Sequence, residues 1–156
     1  MKSESYHLPK RKSIRLKHYD YSTDGYYFVT ICAHGRETTI SKNNKIVEDI
    51  LCNLSKRFTG ISIDYYVLMS SHLHIIFVLQ GAKIPLWEVV RTFKALVSRK
   101  TGNKNFWQRG YYEHVIRNEK ALLKIREYIE NNPLAEKIKF EQFYEGGLDK
   151  SSPYRR

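Results

Sequence analysis

An α+β fold with a mostly antiparallel sheet is predicted from three observations. Apolar residues recur at every second position in some segments and at helical spacing in others. These segments follow one another in the order β-α-β-β-α-β-α. No internal repeat or linker interrupts the 156 residues, a length that suits one domain of roughly 100–200 residues.

Each element has a local cause. Ser22-Thr23-Asp24-Gly25 is a turn signal, and the aromatic and β-branched run from Tyr26 to Cys32 then reads as a buried strand. Ile46, Val47, Ile50, Leu51, Leu54 and Phe58 lie at helical spacing, and Thr59-Gly60 ends that helix. Residues 61–69 alternate, which puts Ile61, Ile63, Tyr65, Val67 and Met69 on one face of a strand. Ser70-Ser71 allows a tight reversal into a strand from His72 to Leu79. After the loop 80–85, Pro85 opens a helix whose stripe is Leu86, Val89, Val90, Phe93, Leu96 and Val97. Arg91, Lys94 and Ser98 take its other side, and Gly102 terminates it. Residues 106–117 read as a loop and a short strand. A last helix starts near Asn118 as N-cap and is stopped by Pro133. The arrangement is ferredoxin-like: about four antiparallel strands, helices on one face, and an additional C-terminal helix. The expected organisation is a basic arm (1–20), one domain (21–140) and a tail (141–156).

Composition bounds the function. With 27 Lys and Arg against 16 Asp and Glu, the net charge is +11, which points to a polyanionic partner, nucleic acid first. An apolar content of 42% suffices for a core. No apolar run is long enough for a transmembrane helix, and the N-terminus carries no signal-peptide h-region. Cys32 and Cys52 form no CxxC and read as buried thiols of a reducing cytoplasm. Walker, GxGxxG, GxSxG and HExxH motifs are absent, so nucleotide-fuelled chemistry and zinc hydrolases lose ground.

Three groups of residues can carry chemistry. His72 and His74 share one face of a strand with Cα atoms roughly 6–7 Å apart. They can converge on a metal ion or be structural, and two ligands do not hold a metal without a third. Tyr128 sits at the edge of the last helix's apolar stripe of Leu122, Ile125 and Ile129, with Asn132 one turn on. It reads either as packing with a wet hydroxyl or as a nucleophile beside a further metal ligand. Trp107, Arg109, Tyr111 and Tyr112 form an aromatic and basic cluster suited equally to stacking bases or filling a loop. Nearby, His114 reads as a core histidine before a ligand.

Taken together, His72-Leu73-His74, Phe106-Trp107-Gln108-Arg109, His114-Val115-Ile116-Arg117 and Tyr128-Ile129-Glu130-Asn131-Asn132-Pro133 resemble the single-tyrosine HUH transposases. The opening Arg11 to Leu16 and the run Tyr27-Phe28-Val29-Thr30 extend the likeness to REP-associated tyrosine transposases over residues 11–140. One departure is Ser70-Ser71, where that family commonly has Pro-Asn; it alters a turn and not a ligand.

The resemblance implies that His72, His74 and Asn132 bind Mg²⁺ or Mn²⁺ and that Tyr128 is the nucleophile. A phenol ionises near pH 10, so its attack on a phosphodiester needs a base or a phosphate-bound cation. The product is a 5′-phosphotyrosine that a second 3′-hydroxyl can reverse. The implied substrate is single-stranded DNA bearing a hairpin, handled by a bacterial cytoplasmic monomer or homodimer. Arg11, Lys12, Arg15, Arg91, Lys94 and Arg109 are the expected phosphate contacts. Two other readings stand beside this one. One is a non-catalytic module stacking bases on Tyr65 and Tyr66; the other is a host-domesticated relative of the transposases.

Overall fold

The computed structural model describes residues 19–34 and 40–131. Four strands, β1 (Gly25–Cys32), β2 (Ile61–Leu68), β3 (His72–Leu79) and β4 (Tyr112–Ile116), form one sheet in the order β2-β3-β1-β4. Every pairing is antiparallel. Between β1 and β2 lie a 3₁₀ turn at Ser41–Asn43 and two helices, α1 (Asn44–Cys52) and α2 (Leu54–Arg57). Helix α3 (Leu86–Thr101) joins β3 to β4, and α4 (Glu119–Asn131) follows β4.

The two central strands are covered on both faces, which is why β1 and β3 are nearly continuous apolar runs. Tyr27, Val29 and Ile31 of β1 join Leu73, Ile75 and Phe77 of β3 on one face. Val47 and Leu51 of α1 and Val89, Val90, Phe93 and Val97 of α3 pack against them. Phe28 and Ile76 point the other way and meet Leu122, Ile125, Tyr128 and Ile129 of α4. The expected helices on one face are thus α1 to α3, and the additional C-terminal helix takes the opposite face.

Alternation predicted a single face for Ile61, Ile63, Tyr65, Val67 and Met69, and the structure corrects this. The register with β3 slips between Ile63 and Tyr65, so Asp64 is an extra, bulged residue. Beyond it every side chain changes face: Tyr66 turns to α1 and donates to Glu48, while Val67 packs against the α4 cluster.

The helix expected over 46–58 breaks at Asn53, whose ψ is near zero and whose side-chain amide donates to the Asp49 carbonyl. Asn118 caps α4 as expected, accepting from the Ala121 N–H at 2.8 Å. Gly60 has φ +80°, and a Cβ there would lie 2.7 Å from the Gln80 carbonyl oxygen and the Ala82 nitrogen, so only glycine fits. Cys32 is half-buried and Cys52 is exposed, so of the two expected buried thiols Cys52 stands at the surface. No helix among the described residues is long and apolar enough to cross a membrane.

Candidate nuclease site

Antiparallel pairing sets the frame of the site. Thr30 lies opposite His74 and Cys32 opposite His72, so the polar residues of β1 and β3 share one face, the face under α4. The histidine rings lie 4.8 Å apart, centroid to centroid. His74 is only 1% exposed, and burial, reinforced by the neighbouring His72, lowers its pKa to about 3. At neutral pH its imidazole is therefore uncharged, the form that ligates a metal.

Thr30 fixes that ring. Its Oγ1 lies 2.8 Å from His74 Nδ1 in a buried contact, which leaves Nε2, itself buried, as the nitrogen to face a ligand. The role of Thr30 was not read from the sequence. Its signal was a polar residue at the face position next to Phe28 in an otherwise apolar strand.

Helix α4 brings Tyr128 to the same place. Its ring centroid is 5.5 Å from that of His74 and 6.3 Å from that of Phe28, edge-on to both. Periodicity placed Tyr128 at the stripe's edge, half in and half out; in the folded chain it is 8% exposed, inside the α4 cluster. Asn132, the expected third ligand, lies just outside the described residues. Among the described residues no third His, Cys, Asp or Glu completes a metal-binding group with the two histidines. The donor set nonetheless fits a divalent ion: two imidazoles on one face, one of them held neutral and oriented.

A model described as Transposase IS200 like matches residues 21–132, the span that holds all four strands and α4. The chain belongs to the IS200-like transposase family. An uncharacterized protein of Haemophilus influenzae is 38% identical to this chain, covering 80% of it and 88% of that protein. The fold is shared with a REP-associated tyrosine transposase solved bound to a REP hairpin: TM-score 0.70, 22% identity, 79% of this chain and 74% of that one. A putative transposase from Deinococcus radiodurans is more distant, with TM-score 0.52, 17% identity, and coverage of 75% and 95% respectively.

The basic residues expected to meet phosphate scatter. Arg11, Lys12 and Arg15 lie outside the described residues. Arg91 is exposed on α3 and pairs with Glu88 at 3.1 Å. Lys94 is committed to the fold: its Nζ donates to the Gln108 and Gly110 carbonyls at 2.8 and 2.9 Å. Both residues ride on α3, across the sheet from the histidines. Arg109 is exposed in the loop before β4. Its neighbour Trp107 is filler, packed on Phe93 and Phe106 with Nε1 donating to the Lys94 carbonyl. His114 is buried on β4 opposite Phe28, as a core histidine.

Proposed function

We propose that this IS200-like transposase is a metal-dependent single-strand DNA nuclease and strand transferase with Tyr128 as its nucleophile. The observation that carries the reading is the meeting of Tyr128 on α4 with His74 on β3, whose ring in turn lies against that of His72.

In this reading His72, His74 and Asn132 hold Mg²⁺ or Mn²⁺. The ion, when bound, supplies charge neutralisation at the scissile phosphate. Tyr128 Oη forms a bond to phosphorus while the bond from phosphorus to O3′ breaks. The phenolic proton passes to solvent and the departing O3′ takes up a proton, giving a 5′-phosphotyrosine and a free 3′-hydroxyl. One ester replaces another, so a second 3′-hydroxyl can reverse the step and join strands without a nucleotide fuel. Thr30 keeps His74 in one orientation, and the packing of α4 on Phe28 and Ile76 keeps the phenol beside it.

The +11 charge suits a single-stranded DNA substrate, with Arg109 and the basic residues Arg11, Lys12 and Arg15 as phosphate contacts. A hairpin in that substrate is favoured by the likeness to the REP-associated enzyme, which was solved with one. A non-catalytic stacking module is disfavoured on two counts. Helix α4 covers one face of the sheet, and Tyr65 and Tyr66, as neighbours on one strand, face opposite sides and form no joint stacking surface.

The test is incubation with hairpin-bearing single-stranded DNA and Mn²⁺, followed by denaturing electrophoresis. A protein–DNA adduct is expected from the wild type and none from Tyr128→Phe. Absence of adduct across varied hairpins would refute the nuclease reading, and an adduct that survives Tyr128→Phe would refute the nucleophile.

A further inference from the structure

The bulge in β2 serves a second purpose. Its extra residue, Asp64, faces α4 and accepts from Arg126 in a two-pronged pair, Nε to Oδ2 at 2.8 Å and Nη2 to Oδ1 at 2.6 Å. We propose that the Asp64–Arg126 pair is the positioning device that sets the rotation of α4 and so aims Tyr128 at His74. The inference rests on Tyr128 being the nucleophile and names what holds it in register.

An exposed ion pair contributes little to stability, but three features separate this one from that class. Both side chains are largely covered, with 31% of Arg126 and 16% of Asp64 exposed. The contact is a fork on a carboxylate, a geometry that fixes direction as well as distance. And the carboxylate is held by the bulge, a backbone device that regular alternation does not provide.

The stripe by which α4 packs on the sheet is apolar. Leu122, Ile125 and Ile129 bury a smooth stripe on Phe28, Ile76 and Ile116, and apolar packing of that kind resists separation more than rolling. At 100° per residue Arg126 and Tyr128 stand about 200° apart and flank the stripe on opposite sides. A roll that releases Arg126 must therefore displace Tyr128. Side chains reach about 6 Å from the helix axis, so a roll of about 10° moves the phenol by about 1 Å. A misplacement of that size in an in-line attack lowers the rate roughly 100-fold.

The test compares wild type with Asp64→Asn, Arg126→Gln and Arg126→Lys in two measurements. In the DNA-free protein, nuclear Overhauser contacts between the Tyr128 and His74 rings report the register of α4. Single-turnover adduct formation with hairpin-bearing DNA and Mn²⁺ reports the chemistry, with DNA affinity measured in parallel. We expect the ring contacts to weaken and the rate to fall roughly 10- to 100-fold in Arg126→Gln and Asp64→Asn. Arg126→Lys, which keeps the charge but loses the fork, should lie between. DNA affinity should stay close to wild type, and the melting temperature should fall modestly while the variants remain folded, because each leaves a largely covered group without its partner. Unchanged ring contacts in folded Arg126→Gln would overturn the proposal, as would a rate loss explained wholly by weaker DNA binding. Failure of the wild type to form any adduct would sink the nuclease reading alone, because the ring contacts still judge the clamp.

Discussion

Replacing Thr30 by Val removes one hydroxyl and keeps the shape of the side chain. Thr30 is 3% exposed, and its Oγ1 stands 2.8 Å from His74 Nδ1. The variant leaves that nitrogen facing a methyl group in a site that solvent does not reach. An unsatisfied buried polar atom costs about 1–3 kcal/mol, and the urea midpoint should fall accordingly. The ring of His74 also loses the contact that fixes its orientation, and loss of such an outer-shell partner lowers metal affinity about 10- to 100-fold. Calorimetric titration with Mn²⁺ at neutral pH measures this directly, without DNA. Thr30→Ser retains the hydroxyl and should bind Mn²⁺ nearly as the wild type does. If Thr30→Val binds Mn²⁺ within twofold of wild type, the orienting role of Thr30 is refuted, whatever the loss of stability.

Two more outcomes follow from the same geometry. The pKa of His74, about 3 in the folded protein against 6.5 as its ordinary value, means that below pH 6.5 the unfolded chain takes up a proton that the folded one refuses. Stability of the metal-free protein should therefore drop as pH falls from 6.5 toward 3, by about 2 kcal/mol on reaching about pH 5. His74→Gln should show a correspondingly flatter profile in urea unfolding, and parallel profiles for the two proteins would contradict the assignment. Lys94→Ala should lose about 1–2 kcal/mol, because two carbonyls of the 108–110 loop lose a charged donor. Its dependence of DNA binding on salt should match that of wild type; a shallower slope would show that Lys94 meets phosphate after all.

Much of the site was legible because it is written in local spacing. Two histidines at i and i+2 of a strand must share a face, whatever else the chain does. Asn118 as a cap, Gly102 and Gly60 as terminators and the stripe of α3 are likewise set by neighbours a few residues away. Faces and partners were less legible. Alternation put Tyr65 on the face of Ile61 and Ile63 and Tyr66 on the other, until a single extra residue at Asp64 exchanged them. Lys94 looked like a free cation on a polar helix face, since the carbonyls that hold it come from the 108–110 loop.

The sequence by itself determined the element order, the twin imidazoles of β3, the polarity of the surface and the helix that carries Tyr128. All of these follow from periodicities of two and 3.6 residues and from composition, which act over short stretches of chain. Only the tertiary structure decided that α4 crosses to the face opposite α1 and α3. It also decided that Thr30 of β1 meets His74 of β3, and that Arg126 locks onto a bulged Asp64. The physical reason is that strand register and helix docking are set by contacts between distant segments, where a one-residue slip changes every partner and leaves the local pattern intact.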